Sequence, residues 1–215
     1  MSPTMLYDFL TATGETIYMV ALSTLLAVLL GLPLGTLLFT AEKIKPNPWI
    51  SRLIAGVINI SRSIPFIILL VALIPFTRLL VGTSIGLHAA IVPLTLGATP
   101  FFARLVDNIY QSLPAGLIET GHAMGASTLQ MIRFILLPEA IPALIHATTV
   151  TAITLVNYSA MAGTVGGGGL GDLAIRYGYQ RFDVMVMLAT VAILVVLVQL
   201  LQMGGDRLAR RFSHH

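Results

Sequence analysis

The run Gly166–Asp172, GGGGLGD, is the first place to look for chemistry, because glycine-rich loops let backbone amides cradle a phosphate. It lacks the Lys-Ser/Thr pair that completes a P-loop, so no nucleotide site is predicted there. It reads as a flexible turn, with contact to a small solute as the lesser alternative. The nine acidic residues, Asp8, Glu15, Glu42, Asp107, Glu119, Glu139, Asp172, Asp183 and Asp206, show no paired-carboxylate spacing, and the histidines no metal-ligand spacing. No catalytic residue, bound cofactor or metal site is predicted. Two patterns remain. One is a polar stripe, Thr148, Thr149, Thr151, Thr154, Asn157, Tyr158 and Ser159, followed by Met161. The other is the stretch 113–138, which sets Glu119 beside Gly121 and Gly125 and closes on Leu137–Pro138.

The elements that must carry these residues are membrane helices. Of 215 residues, 56% are hydrophobic and 10% charged, and the mean hydropathy is +0.91. Soluble domains carry about 25% charged residues, so an all-α integral membrane protein is expected. Five apolar runs are long enough to span a bilayer, at about 17–40, 53–76, 87–106, 141–162 and 184–203. Pro33, Pro65, Pro93 and Pro100 are expected to be tolerated within them, and GLPLG (Gly31 to Gly35) predicts a kink with a close helix contact. Residues 1–16 are expected outside, without the basic start of a signal peptide, and 204–215 as a tail. The closing Ser213-His214-His215 carries no weight.

Charge placement predicts orientation. Lys43, Lys45, Arg52, Arg62, Arg104, Arg133, Arg207, Arg210 and Arg211 fall on one side, against Arg78, Arg176 and Arg181 on the other. That puts 113–138 and the C-terminus in the cytoplasm and the N-terminus outside. The basic residues form no stripe interleaved with aromatics, so nucleic acid is not an expected partner. Cysteine is absent, which excludes disulfides and thiolate metal sites.

Within 113–138, Ser112 and Pro114 read as the start of a helix bearing Leu113, Leu117 and Met124 on one face. Gly125 stands where a left-handed cap would end it, and Ser127 with Gln130 is a capping box for a second helix. Pro138 is expected to close that helix. A hairpin at the membrane surface results, with small residues that admit another protein or merely seal the bundle.

Glu119, Gly125, Ile135, Leu137 and Pro138 have the spacing E-x(5)-G-x(9)-I-x-L-P, which resembles the signature of ABC importer permeases. Thr120 and Gly121 stand where that signature expects two alanines. The stretches 59–108 (with RSIPFIILL), 153–181 (with YSAMAG and GGGLG) and GDRL (Gly205 to Leu208) are similar to the methionine-import subgroup. The resemblance implies a type I importer permease fold in which 113–138 is the coupling segment, with Glu119, Gly121, Gly125, Ala126, Leu137 and Pro138 meeting an ATPase subunit. It further implies a second copy of the chain, two ATPase subunits that use the ATP, an external methionine-binding protein and a bacterial inner-membrane location. Methionine is the implied substrate, its L and D forms and derivatives unranked, with another small amino acid as the alternative. An ion-coupled carrier is the remote alternative, since no ionisable residue is expected at mid-span.

Asn157, Tyr158, Ser159 and Met161 are the candidate path and gate. The threonines read first as helix contacts and second as pore lining. Met161 fits a yielding plug and a packing residue equally well. Arg62 reads as a residue snorkelling from the cytoplasmic end of the second span, with a link to the coupling segment as the alternative. His146 is expected at a helix contact.

Overall fold

The computed structural model describes residues 3–212; the terminal Ser-His-His lies outside them. The described residues form helices and turns. Helix α1 (Pro3–Phe39) runs unbroken past Pro33 and ends in a π turn, Thr40–Ile44. Helices α2 (Pro48–Ser63), α3 (Phe66–Ala72) and α4 (Ile74–Val81) lead into the long α5 (Leu87–Ser112). Then come α6 (Ala115–Ala123), α7 (Thr128–Gln130) with a π segment Met131–Leu136, and α8 (Leu137–Gly163). The short α9 (Gly169–Leu173), its π continuation Ala174–Tyr179, and α10 (Val184–Phe212) complete the chain.

Four stretches, Thr4–Ile44, Leu87–Ser112, Thr128–Gly163 and Val184–Phe212, are long and apolar enough to cross a bilayer, and a bent pair brings the total to five. The bent pair corrects the expected second span. Pro65 forces Ile64 into extended backbone (φ −82°, ψ 123°), as residues before proline prefer, and α2 and α3 diverge by 101°. The other spans outrun their apolar cores. Residues 3–16 extend α1, because Phe9, Ala12 and Thr16 keep a helical spacing and are buried, Phe9 and Ala12 with Leu170, Leu173 and Val186. The expected tail is helical to Phe212; Gly205 lets α10 approach α8 so closely that any Cβ would overlap Thr149.

Glycines set the α1–α5 contact as well. A Cβ on Gly31 would lie 2.9 Å from the Thr99 carbonyl, and one on Gly35 would overlap Ala103 and Val106. The predicted close contact is present. Small residues at such crossings let backbones approach where lipid offers no hydrophobic drive between helices. Above and below this crossing the core splits. Met19, Phe66, Leu94 and Leu155 fill the centre, and Phe39, Val106, Tyr110, Met131 and Leu136 fill the end beside α6, here the hairpin end. The opposite, glycine-loop end holds α9.

Candidate functional site

The hairpin end is built by local backbone chemistry. Helix α6 ends at Ala123, with Met124 as its C-cap and Gly125 at φ +70°, a left-handed conformation that costs a residue with a Cβ about 1–2 kcal/mol. The Gly125 N–H donates to the His122 carbonyl and the Ala126 N–H to that of Gly121, both at 3.0 Å. This is a Schellman closure. The capping box follows at once: Ser127 N–H donates to Gln130 Oε1 (2.8 Å) and Gln130 N–H to Ser127 Oγ (3.4 Å). A Ser127→Ala chain is expected to lose about 1 kcal/mol of hairpin stability, read as faster amide exchange at Gln130 and Met131.

Three details differ from expectation. Ser112 does not start α6; its Oγ donates to the Ile109 carbonyl and finishes α5, while Pro114 takes the N-cap position. Pro138 does not close a helix either. The chain stays helical from Thr128 to Gly163, and the π segment Met131–Leu136 is separated from the proline only by Leu137. A π segment widens the turn where a proline removes a donor and crowds the preceding carbonyls. Gly121, finally, is turned inward. A Cβ there would lie 3.0 Å from Ile135 Cδ1 and Met131 Cε, so its smallness serves the hairpin's own packing. Gly125 has open space around it.

The outer face of the hairpin carries Glu119, which has no hydrogen bond or ion pair among the described residues, and three apolar side chains. Met124, Leu129 and Phe134 are 69%, 71% and 68% exposed. Sequence reasoning misses Leu129 and Phe134, which lie in α7 and the π segment; apolar residues within and just after the Ser127–Gln130 capping box are the signal that points to them. Ala126 and Leu137 are half-buried and Pro138 is exposed. Inward, Leu113, Ile118 and Ile135 pack into the same core as Phe39, Val106 and Tyr110, so the hairpin is fastened to α1, α5 and α8.

Next to this core lies a polar chain that composition does not reveal. Asp107 is fully buried in α5. Its Oδ2 accepts from Arg104 Nη1 (3.0 Å) and Gln111 Nε2 (3.0 Å), while Oδ1 is unpartnered. Arg104 Nη2 also donates to Asn59 Oδ1 of α2 (2.7 Å), and Gln111 reaches Glu42, which accepts from Ser51 (3.1 Å). The π turn after α1, helix α2 and helix α5 are thereby linked.

The candidate gate residues do not converge. Asn157 and Met161, one turn apart, share an exposed face of α8; Met161 is 44% exposed. Ser159 is buried and its hydroxyl donates to the Val156 carbonyl (2.7 Å). Tyr158 turns toward α3 and stacks on Phe66, the rings 4.2 Å apart and 3° from parallel. Thr148, Thr149, Thr151 and Thr154 each donate to the carbonyl four residues back, spending their hydroxyls within the helix. His146 Nδ1 lies 3.6 Å from Asp206 Oδ1, a contact between α8 and α10.

The glycine run is a built turn and not a flexible one. Gly166, Gly168 and Gly169 all have positive φ. The Gly86 N–H donates to the Gly166 carbonyl (2.9 Å), Gly169 N–H to Glu15 Oε2 (2.7 Å) and Leu170 N–H to Thr16 Oγ1 (2.9 Å). Gly163 and Gly171 let α8 and α9 touch backbone to backbone. Asp172 then bonds Arg176 (2.5 Å), which holds that guanidinium above its ordinary value.

A glycine-packed bundle of four or five candidate spans, with a capped surface hairpin and an exposed helix face at Asn157 and Met161, fits the class of membrane permease components. Residues 27–214 match the family described as binding-protein-dependent transport system inner membrane component, and the chain belongs to that family. It is 54% identical over 207 residues to the "Probable D-methionine transport system permease protein MetI" of Vibrio cholerae, covering 95% of this chain and 92% of that one. It is 52% identical to the D-methionine transport system permease protein MetI of Escherichia coli over 165 residues, 76% of each chain. Among solved structures, an inward-facing conformation of the MetNI methionine ABC transporter superposes with a TM-score of 0.98 at 49% identity over all of both chains. An amino acid ABC transporter crystallised with histidines gives a TM-score of 0.80 at 20% identity over 97% of this chain and 95% of that one, a likeness of fold.

Proposed function

We propose that this chain is the membrane-spanning permease subunit of an ATP-driven importer that brings methionine into a bacterial cell. The observation that carries the reading is the full-length superposition on a methionine ABC transporter chain at 49% identity. Two copies enclose the path, with the exposed α8 face bearing Asn157 and Met161 turned toward the partner copy. Two ATPase subunits hold the two hairpins, and an external binding protein delivers the amino acid at the glycine-loop end. Hairpins and C-terminus lie in the cytoplasm and the N-terminus outside, as the arginine and lysine bias predicts.

The exposed trio Met124, Leu129 and Phe134 supplies the apolar contact for an ATPase groove, and Glu119 the polar contact that orients it. Because Leu113, Ile118 and Ile135 sit in one core with Phe39, Val106 and Tyr110, a displaced hairpin carries α1, α5 and α8 with it. Closure of the ATPases on ATP opens the path outward, and hydrolysis resets it. The chain itself supplies no catalytic group. The test is uptake of labelled methionine, beside a panel of other amino acids, in cells with and without the gene. Selective loss of methionine uptake at low concentration is expected; loss of a different solute alone would overturn the substrate.

A further inference from the structure

Arg62 is not at the hairpin end, where a snorkelling residue belongs. It lies 14 positions along α2 from Pro48, which at 1.5 Å per residue is about 21 Å. Its depth can be cross-checked on α5. Asn59, one turn earlier, bonds Arg104, about 12 Å from the end of α5 at Ser112. Phe66, just beyond the break, touches Gly97, about 22 Å from that end of a helix about 39 Å long. Arg62 therefore stands near mid-depth of the bundle, exposed on the surface of the single chain.

A charged side chain at this depth normally has a partner. Arg104 follows the rule, with Asp107 and Asn59. Arg62 has no hydrogen bond or ion pair among the described residues, and no acidic residue lies near it on α2, α3 or the facing turns of α5 and α8. It lines instead a small cavity of about 130 Å³ with Ser61, Phe66, Gly97, Phe101 and Tyr158. The stacked Phe66 and Tyr158 rings wall one side, and Gly97 of α5 gives the Phe66 ring room, since a Cβ there would lie 3.2 Å from it.

We propose that this cavity at the α2–α3 break is a substrate-contact site of the permease itself, taking a free amino acid with an apolar, thioether-bearing side chain. The Arg62 guanidinium receives the α-carboxylate through its planar fork, and the Phe66, Phe101 and Tyr158 rings receive the side chain. The anion that Arg62 lacks within the chain is the one the cargo brings. This inference rests on the transport reading above and deepens it.

The test uses the permease–ATPase complex in nanodiscs without binding protein, with labelled L-methionine competed by L-methionine or L-methioninamide. The wild-type complex is expected to bind methionine at least about tenfold better than the amide. R62Q is expected to weaken methionine roughly ten- to a hundredfold and to erase that preference, with R62K recovering part of it. Co-purification of R62Q with its ATPase subunits at the wild-type stoichiometry shows that the variant assembles. Should R62Q fail to assemble, R62K carries the same ratio test.

An unchanged methionine-to-amide ratio in the variants overturns the proposal, as would an Arg62 engaged by lipid phosphate, which weakens both ligands alike. Absence of methionine binding in a complex that still imports methionine with its binding protein also overturns it and leaves the transport reading standing. A complex that imports no methionine at all overturns both.

Discussion

Asp107→Ala is expected to be among the most damaging single substitutions outside the glycine crossings, lowering stability by about 3–5 kcal/mol in denaturant titrations of the purified permease. Asp107 is fully buried and its side-chain partner Arg104 is 19% exposed, so removing the carboxylate strands a guanidinium in a largely dry place. The loss is the cost of an uncompensated charge rather than the worth of one ion pair. Two further results separate those ideas. Asp107→Asn keeps an oxygen for Arg104 and Gln111 and should cost markedly less. The double variant Arg104→Met with Asp107→Leu should recover most of the loss, since apolar residues of similar volume often replace a buried pair without penalty. A double variant as unstable as Asp107→Ala would show that the links to Asn59 and Gln111 matter more than the charge.

That carboxylate also marks where the sequence stopped being legible. The apolar run of the third span ends at Val106, and an acid directly after it reads as a span end. What keeps α5 helical through Ser112 is a set of partners from α1's π turn, α2 and α5 itself, brought together only by the fold. The glycine run failed for the same reason: its order depends on Glu15 and Thr16, 154 residues before the amides they accept from. Features decided by adjacent residues fared better. Gly125 at φ +70° and the Ser127–Gln130 capping box were readable because caps are short-range chemistry. The break at Ile64–Pro65 is readable in principle, since the residue before a proline avoids helical backbone, but a membrane span can also keep its proline, and the two rules compete at that position. Arg62 is misplaced by the same reading: fourteen residues along α2 from Pro48, it stands at mid-depth.

Gly121 and Gly125, four residues apart in one hairpin, should respond to substitution for different physical reasons, and the contrast isolates what the hairpin transmits. Gly125 holds its left-handed conformation with open space where a side chain would go, so a substitution there changes backbone and nothing else. Gly125→Val places a β-branched residue where L side chains are strained, about 1–2 kcal/mol or more. The Schellman closure should open and the angle between α6 and α7 should shift. Membrane insertion depends on the apolar spans and should persist, while methionine uptake falls at least about tenfold with ATP hydrolysis continuing. Gly121→Ala should do the reverse. The atoms it meets, Met131 Cε and Ile135 Cδ1 at 3.0 Å, are the free ends of flexible side chains, and alanine favours helix over glycine by about 1 kcal/mol. Uptake should be unchanged and the hairpin slightly more stable. Gly121→Leu cannot be absorbed by those free ends and should lose uptake as Gly125→Val does, but by pushing α6 off the π segment. Equal uptake in Gly125→Val and the unsubstituted chain would sever the hairpin's backbone geometry from coupling, whatever its exposed face still contacts.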